Sequence, residues 1–171
     1  MFNMAKIVAL GICIMVVLNC ANFASVEFGF NDEGIYRGTL GQFGIRVLKI
    51  EAKTKENYSP LWEGTRLVFV QREGSGFASI TEQSIQMDPG TYKTLRITVD
   101  SLCYVTDVNS FLLLDTEYQF TASSFSDITI DKGDELRLVI DIASPQWFDS
   151  DSMKIKTGHQ AFEGAAVRRY Y

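Results

Sequence analysis

One histidine and three cysteines limit the chemistry open to this chain of 171 residues. Nucleophilic catalysis needs a nucleophile, a base and a group that orients the base, all within hydrogen-bond reach. Any Ser-His-Asp or Cys-His set would depend on His159, which follows Gly158 in Thr157-Gly158-His159-Gln160. That is a turn pattern, and a surface histidine is expected there. Zinc sites need clustered Cys and His, and no cluster is present. Cys13 lies inside the N-terminal apolar segment, and Cys20 follows that segment at a cleavage site. Cys103 is then alone, in Leu102-Cys103-Tyr104-Val105. One leftover cysteine gives no disulfide framework, and a thiol within a strand packs as a small apolar group. Asp and Glu, which a glycosidase would need in pairs, fall mostly in turns, where they bond local backbone. The expectation is a protein that is not an enzyme and uses no cofactor.

Three weaker patterns point to binding. Asp149-Ser150-Asp151-Ser152 places Asp149 and Asp151 where their oxygens can face a calcium ion. The glycine and distal glutamate of an EF-type loop are not in register, so a solvated loop is the plainer reading. Beside it, Pro145-Gln146-Trp147-Phe148 sets two aromatic rings among polar residues. At an edge, Trp147 and Phe148 would stack on a sugar ring or a partner side chain; at a strand end they would be core. Trp62 with Tyr58 is a second pair of the same kind.

The N-terminus carries Lys6 and then twelve apolar residues, Ile7 to Leu18. A spanning helix needs about twenty apolar residues, so this run has the length of a secretory signal. Two processing readings follow. In one, residues 1–20 form the signal segment, Val17-Leu18-Asn19-Cys20 is a relaxed lipobox cut before Cys20, and Cys20 becomes the lipidated first residue that anchors the protein to a membrane. In the other, signal peptidase cuts near Ala21 or Ala24. The net charge of −5 at pH 7, with scattered positive residues, lacks the basic footprint that nucleic acid requires.

The elements that would position these residues are strands. In Pro89–Asp100, Leu95, Ile97 and Val99 share one face. In Lys132–Ile142, Leu136, Leu138, Ile140 and Ile142 share one face, opposite Glu135, Arg137, Val139 and Asp141. Alternation of period two marks half-buried strands. About ten short strands, separated by turn signals such as Asn31-Asp32-Glu33-Gly34 and Lys132-Gly133-Asp134, predict an all-β fold, an antiparallel β-sandwich of immunoglobulin-like or transthyretin-like type. In Phe43–Thr54 the apolar phase moves from Phe43, Ile45 and Val47 to Leu48, Ile50 and Ala52, which predicts a β-bulge. Residues 21–33 read as a tether and first short strand, and 34–171 as the sandwich domain.

The strand Ile45–Ala52, the run Met87-Asp88-Pro89-Gly90-Thr91-Tyr92 leading into Leu95-Arg96-Ile97, the pair Phe120-Thr121, and Ile130-Asp131-Lys132-Gly133-Asp134-Glu135-Leu136-Arg137-Leu138-Val139-Ile140-Asp141 carry a resemblance. Over about the middle three-fifths, Ile45 to Ile142, the chain resembles uncharacterised exported bacterial lipoprotein domains with a transthyretin-like, carbohydrate-binding-like sandwich. The resemblance implies fold and export, and it brings no catalytic residues. From Pro145 onward the chain departs from that pattern.

The expected role is a surface-anchored binding or structural module of a bacterial cell envelope, an outer-membrane or cell-surface lipoprotein. Its partners would be the membrane, through the lipid anchor, and a glycan or another surface protein. The alternative is a subunit of a surface assembly, adhesin-like or fimbria-like, joined through edge strands.

Overall fold

The computed structural model describes residues 22–34, 38, 40–54, 56–72 and 74–171. Cys20 and the apolar segment before it lie outside the described residues. Strands dominate: β1 (Ala24–Asp32), β2 (Gln42–Lys53), β3 (Tyr58–Gln71), β4 (Gly74–Ser79), β5 (Ile85–Met87), β6 (Gly90–Val105), β7 (Ser110–Leu114), β8 (Tyr118–Ile130), β9 (Glu135–Asp141), β10 (Phe148–Asp149), β11 (Lys154–Ile155) and β12 (Ala166–Tyr170). One short helix, α1 (Ser144–Trp147), follows β9. The all-β expectation holds.

Ten strands form one nearly closed sheet in the order β3-β2-β6-β8-β12-β9-β1-β4, with β5 on β1 and β7 on β6. The path is thinnest between β8 and β12, where one pair, Ala166 with Ser123, joins them. The two ends of the path, β3 and β4, are consecutive in sequence and turn back on each other after Gln71. The Arg66–Glu82 ion pair clips β3 to the chain just beyond β4.

The inward faces follow the period-two pattern. Leu95, Ile97, Val99, Leu138, Ile140 and Ile142 are all at most 1% exposed, and they join Phe28, Phe30, Phe43, Ile45 and Ile50 in one core. The phase change in β2 is a bulge, with register shifts between Val47 and Lys49 against both neighbours. The turn into β9 is tight. Asp134 N–H donates to Asp131 O, Asp131 N–H donates to the Asp134 carboxylate, and Gly133 takes φ +83°, a region that glycine enters without a Cβ clash.

Several expectations need correction. The sheet is mixed, because β1 runs parallel to β9 from Ser25–Glu135 to Asn31–Asp141, and β12 runs parallel to β8. A parallel pair needs a long crossover, and here it is most of the chain, so local pattern cannot show it. Val139 is fully buried. In the ladder it sits beside Gly29, and a Cβ on Gly29 would fall 2.6 Å from the Phe77 ring. Phe77 therefore lies across the outer face at that point. The first strand expected within residues 21–33 is present but longer than expected: β1 begins at Ala24 and is an interior strand between β9 and the β4 and β5 pairings. Tyr118–Ile130 is one long strand, with a break in its register against β6 between Tyr92 and Thr94.

Candidate binding groove

The thin join between β8 and β12 leaves the first half of β8 with a free edge. Ser123 N–H reaches across to Ala165 O at 3.3 Å. Backbone groups alternate sides along a strand, so Thr121 and Gln119 turn theirs to the same edge. The segment 158–164 lies alongside, tied by the Tyr118 hydroxyl to Ala161 O at 3.3 Å. Phe162, 2% exposed, stacks on Phe120 with ring centroids 4.1 Å apart and fixes the segment to the core. Between them runs an open groove of about 750 Å³, lined by Tyr118, Gln119, Thr121, Gln160 and Glu163, with Arg96 and Tyr58 at its far side.

The charges along this groove are internally matched. Arg96 donates from Nε to Glu51 at 2.7 Å, and its guanidinium carbon lies 4.1 Å from the Tyr58 ring centroid. Lys49 bridges Glu51 at 3.4 Å and Glu63 at 2.8 Å. The hydrogen bond from Arg96 is the main cause that holds the Glu51 carboxyl below its ordinary pKa, working against burial. The same bond raises the Arg96 pKa, so the guanidinium keeps its charge. Glu163 accepts from Gln160 N–H and faces His159 Nδ1 at 3.0 Å. Burial, and then the Glu163 charge, push the Tyr118 phenol up, so it remains a hydrogen-bond donor at neutral pH. What the groove offers is two phenols, two amides, a hydroxyl and a strand edge, with no unmatched charge among these groups.

Trp147 and Phe148 do not present a stacking surface, which corrects the expectation drawn from their polar surroundings. Trp147 is fully buried, Phe148 is 3% exposed, and both pack on Phe43. Trp147 Nε1–H donates to Ile142 O at 2.8 Å, which removes the cost of burying the indole donor. Tyr58 is half-buried and lines the groove, whereas Trp62 packs against the core beside Ile50 and does not.

Asp149 serves its own turn. Its carboxylate accepts from Ser152 Oγ at 2.7 Å and from Asp151 N–H at 3.0 Å, and these bonds lower its pKa, Ser152 first. Asp151 is exposed. Among the described residues no group of three or more His, Cys, Asp or Glu is placed to hold a metal ion. His159 is on the surface, as its turn suggested, and Cys103 is a free, half-buried thiol.

The sequence reading missed Tyr118, Arg96 and Gln160. Nothing in spacing links β8 to a segment some forty residues later. The one available signal was a tyrosine at a strand start directly after Glu117.

Compared with known proteins, the chain matches no family model, no curated protein and no solved structure.

Proposed function

We propose that this protein is an exported, non-enzymatic binding module of a bacterial cell envelope, anchored through a lipidated Cys20, with the groove along β8 as its ligand site. The resemblance to exported lipoprotein domains and the apolar N-terminal run support export. The single bridge between β8 and β12 supports a sandwich in which β3-β2-β6-β8 and β12-β9-β1-β4 are the two layers.

The groove carries the reading. Its aromatic edges and uncharged donors and acceptors suit a glycan, whose hydroxyls need many matched hydrogen bonds and whose ring faces need an apolar surface. The test is a glycan array probed with the soluble domain, followed by titration of any hit. Tyr118→Ala and Tyr58→Ala should each weaken binding at least tenfold, while Val108→Ala, at an exposed turn outside the groove, should leave it unchanged. No bound glycan, or binding indifferent to both tyrosines, would reject the reading.

A second reading, a subunit of a surface assembly, is favoured by the seam between β3 and β4. Both ends of the sheet path lack a ladder partner there among the described residues, and Leu67 and Phe69 on β3 are about half exposed. Solution mass at micromolar concentration separates the two: a monomer supports the binding module, and a dimer or larger species supports the assembly.

A further inference from the structure

The strand registers sort the loops into two ends. Ala24 pairs with Met87, Ser25 with Glu135, Gly90 with Ile130, and Lys53 with Tyr58. Phe23, the turn at Lys53–Asn57, the turn at Asp88–Gly90 and the turn at Asp131–Asp134 therefore share one end of the sheet. Asp32 pairs with Gly74, Gln42 with both Gln71 and Val105, and Val105 with Ser110. The β3–β4 turn and the Thr106–Asn109 turn therefore share the other end. Along the nine residues of β1 the two ends are roughly 26 Å apart.

The chain enters the fold at the first end and is fixed there at once. Phe23 O accepts from Gly133 N–H at 3.2 Å, Ser25 N–H donates to Asp134 O at 2.7 Å, and Ala24 is 1% exposed. Phe23 is thus the last residue before the sheet takes hold. Between Cys20 and Phe23 lie only Ala21 and Asn22. Three Cα steps reach at most about 11 Å, whatever their conformation.

We infer that the end holding Phe23, Gly90 and Lys132 rests against the lipid surface, and that the Thr106–Asn109 end points away from it. This rests on the Cys20 anchor of the proposed function. The tether length carries the inference, and charge does not. Lys53 and Lys132 at this end are offset by Asp88, Asp131 and Asp134, so no basic patch pulls the domain down. The exposed part of Phe23 sits where the interface begins, the level at which aromatic rings are favoured. A cut after Ala24 would remove the Phe23 O acceptor of Gly133 N–H and empty the buried position of Ala24 in β1.

The test uses the full chain, exported in a bacterial host and purified in detergent, in a Cys103→Ser background. Intact mass comes first. An acylated species beginning at Cys20 is expected. A species beginning at Asn22 or Ser25, or an uncut chain, removes the anchor reading and the inference with it. The acylated protein then goes into phosphatidylcholine vesicles containing head-group nitroxide lipid, with a fluorophore on either Lys132→Cys or Val108→Cys. The label at 132 should be quenched several-fold more strongly than the label at 108. Equal or reversed quenching on a protein shown to be acylated overturns the orientation and leaves the anchor standing.

Discussion

Ile140 and Arg137 lie three residues apart on β9 and should respond to truncation very differently. Ile140 is fully buried, so Ile140→Ala should cost about 2–5 kcal/mol, the lost transfer energy plus the cavity left behind. Arg137 is 56% exposed, pairs with Glu27 at 2.8 Å and covers Phe77, so Arg137→Ala should cost under about 1 kcal/mol. Urea midpoints of the two variants measure the difference, and a costlier Arg137→Ala would invert the face assignment. At Glu51 the pKa is lowered in the folded state. Its stabilising contribution is therefore complete above its ordinary value of 4.5 and is lost as pH falls below that value through the lowered one. Glu51→Gln should destabilise the protein at pH 7 and flatten the loss of stability on acidification. Denaturation midpoints between pH 7 and pH 3 check both parts. At this scale the sequence singled out Tyr58, which lines the groove, together with Trp147 and Phe148, which are buried in the core. Polar neighbours in sequence say little about a ring that folds back onto Phe43, more than a hundred residues away.

Among the elements, β1 shows how a pattern can be legible in form and misleading in meaning. Gly29 interrupts an apolar run, and in isolation it suggests an edge or bulge. In the sheet β1 is an interior strand, and Gly29 makes room for Phe77, whose ring also meets Tyr170 at 5.2 Å between centroids. Gly29→Ala should therefore destabilise the protein in the native background and cost much less in a Phe77→Ala background. The coupling from a double-mutant cycle on thermal or urea midpoints reads the contact directly. A cost unchanged by removing Phe77 would mean that the glycine serves the backbone instead. The β2 bulge was readable, because a phase change needs only local apolar residues. The parallel pairing of β1 with β9 was not, because strand direction leaves no mark in alternation. In β7 the unbroken apolar run Phe111–Leu114 has the form of a strand covered on both faces, yet Leu112 is 65% exposed, because β7 lies off the main path of the sheet and pairs with β6.

For the whole molecule, the size of the core and the single free thiol among the described residues predict a fold that needs neither metal nor disulfide. Thermal melts with and without chelator, and with and without reductant, should coincide within a degree or two. A large drop on chelation would instead assign Asp149 and Asp151 to a bound cation. The all-β class was visible because each strand announces itself. The closure of the sheet was not, since it depends on which strands meet.

The pairing of the first strand with one of the last sets the order of events as the chain is made. On one side β1 pairs with β4 and β5, about forty to sixty positions later; on the other it waits for β9, more than a hundred positions later, and β12 must then pair on the far side of β9. Contacts this distant in sequence form slowly, because the loop they close must be ordered first. The emerging chain therefore lacks the second flank of its leading strand, β9, until it is nearly complete. The export proposed above, which needs an unfolded chain, would be helped by that delay: the sheet is sealed only when its last strands, β9 and β12, have been added.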